Sequence, residues 1–77
     1  KDLYEQATIA YNRVLELDPT DATAHENLGV IYANQGRLDK AIEEWENVIR
    51  LDPGRTDIKN KIQRAFELLD EGQVVSK

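Results

Sequence analysis

The sequence has no cysteine, so neither a disulfide nor a thiolate metal site can be built from it. That absence fits a reducing compartment and makes the cytoplasm the default location. No apolar run approaches the roughly 20 residues that span a bilayer, so membrane insertion is not expected. No charged start leads into an apolar stretch, so no signal peptide is read; the chain opens on Lys1 rather than Met, as a trimmed segment would. Histidine occurs once, and there is no glycine-rich phosphate loop and no His/carboxylate cluster at ligand spacing. No catalytic residue, metal site or cofactor is therefore expected. Basic residues are also in the minority, ten against fifteen acidic ones, for a net charge of −5. An acidic chain gains nothing from general contact with nucleic acid, which rewards a basic stripe with interleaved aromatics.

What is present is helical. The 77 residues are 32% charged and 40% hydrophobic, an ordinary folded mixture. A domain of this length buries only about 60% of its unfolded surface, so its core is thin. Apolar residues recur at three- and four-residue steps in four stretches, about 2–17, 21–35, 38–51 and 56–71. The stripes are Tyr4, Ala7, Tyr11, Val14 and Leu15; Ala24, Leu28, Ile31 and Tyr32; Leu38, Ala41, Ile42, Trp45, Val48 and Ile49; and Ile58, Ile62, Ala65, Phe66 and Leu69. Pro19 and Pro53 push the residues before them out of helical geometry, ending helices near Leu17 and Leu51. Gly36 and Gly72 suit the left-handed position past a helix end, and Asp21, Asp39 and Thr56 suit helix N-caps. Strand-type alternation appears nowhere. Linkers this short force successive helices to pack antiparallel.

The chain also repeats itself. A shift of 34 residues places Ala7 on Ala41, Val14 on Val48, and Leu17-Asp18-Pro19 on Leu51-Asp52-Pro53. Tyr11 then meets Trp45, Leu15 meets Ile49, Leu28 meets Ile62 and Tyr32 meets Phe66. A fixed period of this size is the mark of a solenoid. The central stretch reads His25-x2-Leu28-Gly29-x2-Tyr32, then Ala41-x3-Trp45, then Pro53. In that pattern and spacing it resembles the tetratricopeptide repeat family, with His25 in place of a leading Trp and Trp45 in place of a Phe. The resemblance covers residues 1–71 and is strongest over 22–55.

The resemblance implies an all-α, right-handed α-solenoid of antiparallel helix hairpins with four helices. Residues 1–19 correspond to the second helix of a truncated repeat and 22–55 to a complete repeat. Residues 56–71 correspond to a first helix that departs from the pattern at Lys59, Gln63 and Asp70. They are expected to form a terminal capping helix followed by a tail, 72–77; the alternative is an array continuing beyond Lys77. Gly29 and Ala41 let two helices approach, Tyr32 and Trp45 fill the space beside the crossing, and His25 occupies an aromatic packing position. Glu43, Glu44 and Glu46 are expected on a solvated face.

In function, the resemblance implies a protein–protein interaction scaffold or adaptor that binds a peptide or partner segment along a concave groove lined by first helices. Thr23, Glu26, Asn27, Val30, Ala33 and Asn34 are expected to face it from 21–35, and Asp57, Asn60, Lys61, Arg64 and Leu68 from 56–71. The Asn27 amide offers both donor and acceptor to a peptide backbone. Residues 55–64 hold Arg55, Lys59, Lys61 and Arg64 against Asp57, a local +3, and Lys61 and Arg64 suit an acidic group. The alternative is structural self-assembly without a peptide ligand. The stripe Tyr4, Ala7 and Tyr11 lacks a preceding first helix to cover it. Each large apolar side chain left exposed forfeits part of roughly 1.5–3 kcal/mol, so self-association of the chain is expected.

Overall fold

The computed structural model describes the backbone of residues 2–75 and the side chains of residues 2–71. They form four helices and no strand: α1 (Leu3–Leu17), α2 (Ala22–Asn34), α3 (Leu38–Leu51) and α4 (Thr56–Val75). The helices follow one another in an α-solenoid, each packed on the next. The Cα envelope measures 44 × 36 × 15 Å. Its short dimension matches two helices about 10 Å apart, each with a backbone radius of about 2.3 Å.

The helix boundaries follow from the residues beside them. Asp2 Oδ1 accepts from the Glu5 amide at 2.7 Å to start α1, and Asp21 Oδ1 accepts from the Ala24 amide at 3.0 Å to start α2. These satisfy amides that have no partner within the helix. The start of α3 differs from the sequence expectation. Arg37, not Asp39, holds the cap position and makes no side-chain cap. Asp39 lies in the first turn and takes the amide of Lys40 at 2.9 Å, where its charge still favours the helix dipole. Thr56 likewise is the first residue of α4 rather than its cap.

The two proline turns are copies of each other. Asp18 and Asp52, 34 apart, have nearly equal torsions (φ −147, ψ 88 and φ −145, ψ 86), and each donates its amide over 2.8 Å to Val14 and Val48 respectively. Each carboxylate then receives the amide two residues on, Thr20 at 3.1 Å and Gly54 at 3.3 Å. The repeat seen in the letters is thus a repeat in space. Gly36 has φ +78, the left-handed geometry that ends α2. Gly72 does not act in this way: α4 runs through it to Val75, so the expected end at residue 71 and the start of a tail at 72 are corrected. Glycine permits a left-handed turn but does not compel one. Residues 76 and 77 of that tail lie outside the described residues.

The core sits between α2, α3 and α4. Leu28, Val48 and Ile58 are fully enclosed, and Ala24, Ile31, Ala41, Ile42, Trp45 and Ala65 join them. α1 contributes no buried residue. Phe66, read as part of the α4 stripe, is 48% exposed because no described helix covers that side of α4. At the α2–α3 crossing a Cβ on Gly29 would meet Trp45 at 2.5 Å from Cδ1 and 2.7 Å from Cε2, which is why this position has no side chain.

Candidate functional site

The expected groove residues lie on α2 and α4, and their side chains are not equally free. Glu26 is half-buried and bonded to Arg55, whose Nη2 reaches Glu26 Oε1 at 3.0 Å. The same guanidinium holds Asp57 with two contacts, Nε to Oδ1 at 3.1 Å and Nη2 to Oδ2 at 3.0 Å. A planar guanidinium with five donors suits this double duty. These bonds hold the Asp57 carboxyl below the usual carboxylate range, and Asp57 first and Glu26 second raise the Arg55 guanidinium above its ordinary value. Arg55 therefore engages two acidic groups at once, offsetting one of their two charges, and links the start of α4 to α2.

Asn27 is engaged as well. Its Nδ2 donates to the Tyr11 hydroxyl at 3.2 Å, which ties α2 to α1. Its 34-residue counterpart, Lys61, sits over the Trp45 ring at 6.0 Å from the centroid, within reach of a cation–π attraction. The same position in two repeats thus reaches the aromatic of the preceding helix by different chemistry. Arg64 makes one contact of 3.4 Å to Glu67, both side chains being at least half exposed, a geometry worth little. Thr23, Asn34 and Asn60 are exposed, and Val30 and Ala33 are half-buried against the core.

The structure brings some of these residues together with others assigned a different role. Asn27, Val30 and Asn34 share a groove of about 380 Å³ with Leu3, Tyr4, Ala7, Tyr11 and Ile31. The self-association residues and part of the peptide-groove set are therefore one surface between α1 and α2. Thr23, Glu26, Asn60, Lys61 and Arg64 do not line it. A second groove of about 400 Å³ lies between α3 and α4, lined by Glu46, Ile49, Arg50, Lys59, Ile62, Gln63 and Phe66. Sequence reading missed it, although Phe66 and Ile62 at 34 residues from Tyr32 and Leu28 carry its signal.

His25 fills its packing position through polar contacts. Nδ1 lies 2.8 Å from Glu44 Oε1 and Nε2 lies 3.0 Å from the Pro19 carbonyl. The ring, 12% exposed, thereby fastens the first proline turn and α3 to α2. Glu44 is accordingly not part of a solvated acidic face, whereas Glu43 and Glu46 are exposed. Trp45 Nε1 donates to the Glu26 carbonyl at 3.4 Å, so the one indole donor has a partner.

Comparison with known proteins agrees with this geometry. A family model described as TPR repeat matches residues 3–36, and one described as tetratricopeptide repeat matches residues 22–55. The chain is 33% identical, over 90% of its length, to a tetratricopeptide repeat and J domain-containing co-chaperone of Cryptococcus neoformans var. grubii, of which it spans 13%. It is 32% identical, over 73% of its length, to a photosystem I assembly protein of Prochlorococcus marinus, of which it spans 41%. A further match, 32% identical over 61% of the chain, is a probable UDP-N-acetylglucosamine–peptide N-acetylglucosaminyltransferase of Solanum lycopersicum, of which it spans 5%. The chain thus spans less than half of each of these relatives.

Proposed function

The chain belongs to the tetratricopeptide repeat family, and on that premise we propose that the face formed by α2 and α4 takes up an extended peptide segment bearing acidic side chains. Tetratricopeptide repeats generally mediate protein–protein interaction and are generally non-catalytic. No helix among the described residues is long and apolar enough to cross a membrane. The partner is a protein or peptide; neither nucleic acid nor a cofactor has a place in this reading.

The observation that carries it is the Arg55 bridge. By engaging both Glu26 and Asp57 it ties up the two carboxylates expected on this face and offsets one of their two negative charges. Lys61 and Arg64 then set its charge, one turn apart on α4 and both exposed. Thr23, Asn34 and Asn60 add exposed polar groups able to bond a peptide backbone. Asn27 contributes less than its residue type suggests, because one donor is already given to Tyr11.

Selection from a random peptide library displayed on phage tests the assignment. The wild-type chain is expected to enrich acidic peptides. Lys61→Glu with Arg64→Glu should weaken a selected peptide by about tenfold or more, equivalent to ~1.4 kcal/mol. Added salt should weaken the wild-type complex in the same direction. An enrichment profile unchanged by the double charge reversal sinks the reading. The self-assembly alternative is favoured by a separate observation, the two end grooves.

A further inference from the structure

α2 and α4 share one face without meeting along their backbones. No Cα of α4 lies within 8 Å of a Cα of α2, and both helices rest on α3 instead. Ile58 and Ala65 seat α4 there, buried in one cluster with Ala41, Ile42, Trp45 and Val48 of α3. Among the described residues, one hydrogen bond joins α2 to the chain from residue 55 onward, Arg55 Nη2 to Glu26 Oε1 at 3.0 Å. The 34-residue repeat marks it as an addition. Arg55 stands where Asp21 stands before α2, and there the Asp21 carboxylate accepts the Ala24 amide. A guanidinium has no acceptor to offer an amide. The chain thus gives up that cap on α4 and gains a reach across to α2.

The two partners of Arg55 are not held alike. Asp57, two residues on, is held at two points, Nε to Oδ1 at 3.1 Å and Nη2 to Oδ2 at 3.0 Å. A two-point hold fixes the guanidinium plane and leaves the other Nη2 hydrogen for Glu26. Glu26 is held at one point, across 29 positions of chain. Asp57 therefore orients the guanidinium, and the Glu26 contact is the one that opens first. Its side chains are 29% and 27% exposed, so dissolved ions reach it.

On the reading that this face takes up an acidic peptide, we propose that Arg55 is its positioning residue, a latch whose contact with Glu26 sets the separation of α2 and α4. Closed, the latch holds Lys61 and Arg64 at a fixed distance from the polar residues of α2, so that one peptide meets both helices. Open, α4 is tied to α2 through α3 alone, and Glu26 faces the peptide as a free carboxylate. Two variants separate positioning from charge. Glu26→Ala removes a negative charge, which by charge alone tightens an acidic peptide, whereas loss of the latch weakens it. Arg55→Lys keeps every charge, so by charge alone it changes nothing. An ammonium lacks the planar fork, however, and does not hold Asp57 and Glu26 in this geometry.

Distance and affinity, measured separately, test it. The chain has no cysteine, so Thr23→Cys and Asn60→Cys, both at exposed positions, take spin labels at those two points alone. Double electron–electron resonance between the labels reads the separation of α2 and α4. An acidic peptide selected on the wild type reads binding to the unlabelled chains. The labelled chain with Glu26 and Arg55 intact should give one narrow distance, and both variants a longer and broader distribution. Both should also weaken the peptide by about threefold or more, the scale of a partly exposed ion pair. An unchanged distance in either variant overturns the latch, whatever the peptide does. So does tighter binding by Glu26→Ala or unchanged binding by Arg55→Lys, because charge then accounts for the face. If the wild type selects no acidic peptide, the peptide reading fails by itself, and the distances still decide whether Arg55 positions α4. Should a variant lose its helical circular dichroism, the labelled chain without it is followed through rising salt instead. Its distance should lengthen as the pair is screened, and a constant distance overturns the latch.

Discussion

Two glycines show how one residue type meets two different demands. Gly29 has ordinary helical geometry and is required for space, because the Trp45 ring occupies the position of a β-carbon. Gly36 has open space around it and is required for its torsion, φ +78. Gly29→Ala should therefore destabilise the fold by about 1–3 kcal/mol, the cost of overfilling a packed site, and should perturb Trp45 fluorescence as the ring shifts. Gly36→Ala should cost roughly 1–2 kcal/mol of backbone strain and leave the Trp45 signal of the folded state unchanged. Urea titrations of the two variants, followed by far-UV circular dichroism and by fluorescence, separate the two causes. Equal spectral shifts in both would contradict the account of Gly29.

At the scale of elements, the helices are joined by carboxylates whose hydrogen bonds need the charged form. Thr20 holds Asp18 below the usual carboxylate range, chiefly through its hydroxyl at 2.7 Å, and Arg55 does the same for Asp57. Both pKa values are lowered by folding, so both groups contribute stability that is complete above their ordinary value of 3.8 and is lost as pH falls from there through the lower folded-state values. Acid titration of the unfolding midpoint should show a decline beginning near that value. Its slope should be shallower in Asp57→Asn; an unchanged slope would remove Arg55 as the cause. α1 differs from the other helices in having no buried residue. Few enclosed contacts mean local opening at low free energy. Amides of α1 should exchange with solvent faster than those of α3 in dilute solution. Equal protection of α1 and α3 in the monomer would contradict this ranking.

At the scale of the whole molecule, the described residues form a thin slab two helices deep, with one groove between α1 and α2 and another between α3 and α4. A solenoid buries each hairpin only against its neighbours. The α1–α2 and α3–α4 grooves are the expected result. The lateral face carried by α2 and α4 adjoins the α1–α2 groove through Asn27, Val30 and Asn34, and its positive charge comes from Lys61 and Arg64.

The sequence by itself determined the four helices, their antiparallel order and the 34-residue period. Apolar spacing, two proline turns and a small residue at each crossing are local signals, repeated in the letters as they are in space. It determined the cap at Asp21 and the left-handed turn at Gly36 for the same reason. Only the tertiary structure decided how the polar residues are used. Arg55 reaches Glu26 across 29 positions, Asn27 reaches Tyr11 across 16, and Glu44 leaves the solvent for His25 across 19. No local spacing encodes such pairs, because they depend on which helix faces meet and how closely. Glycine at 72 carried the same letter as at 36 without the same turn, since a permissive residue acts only where the surrounding chain requires it.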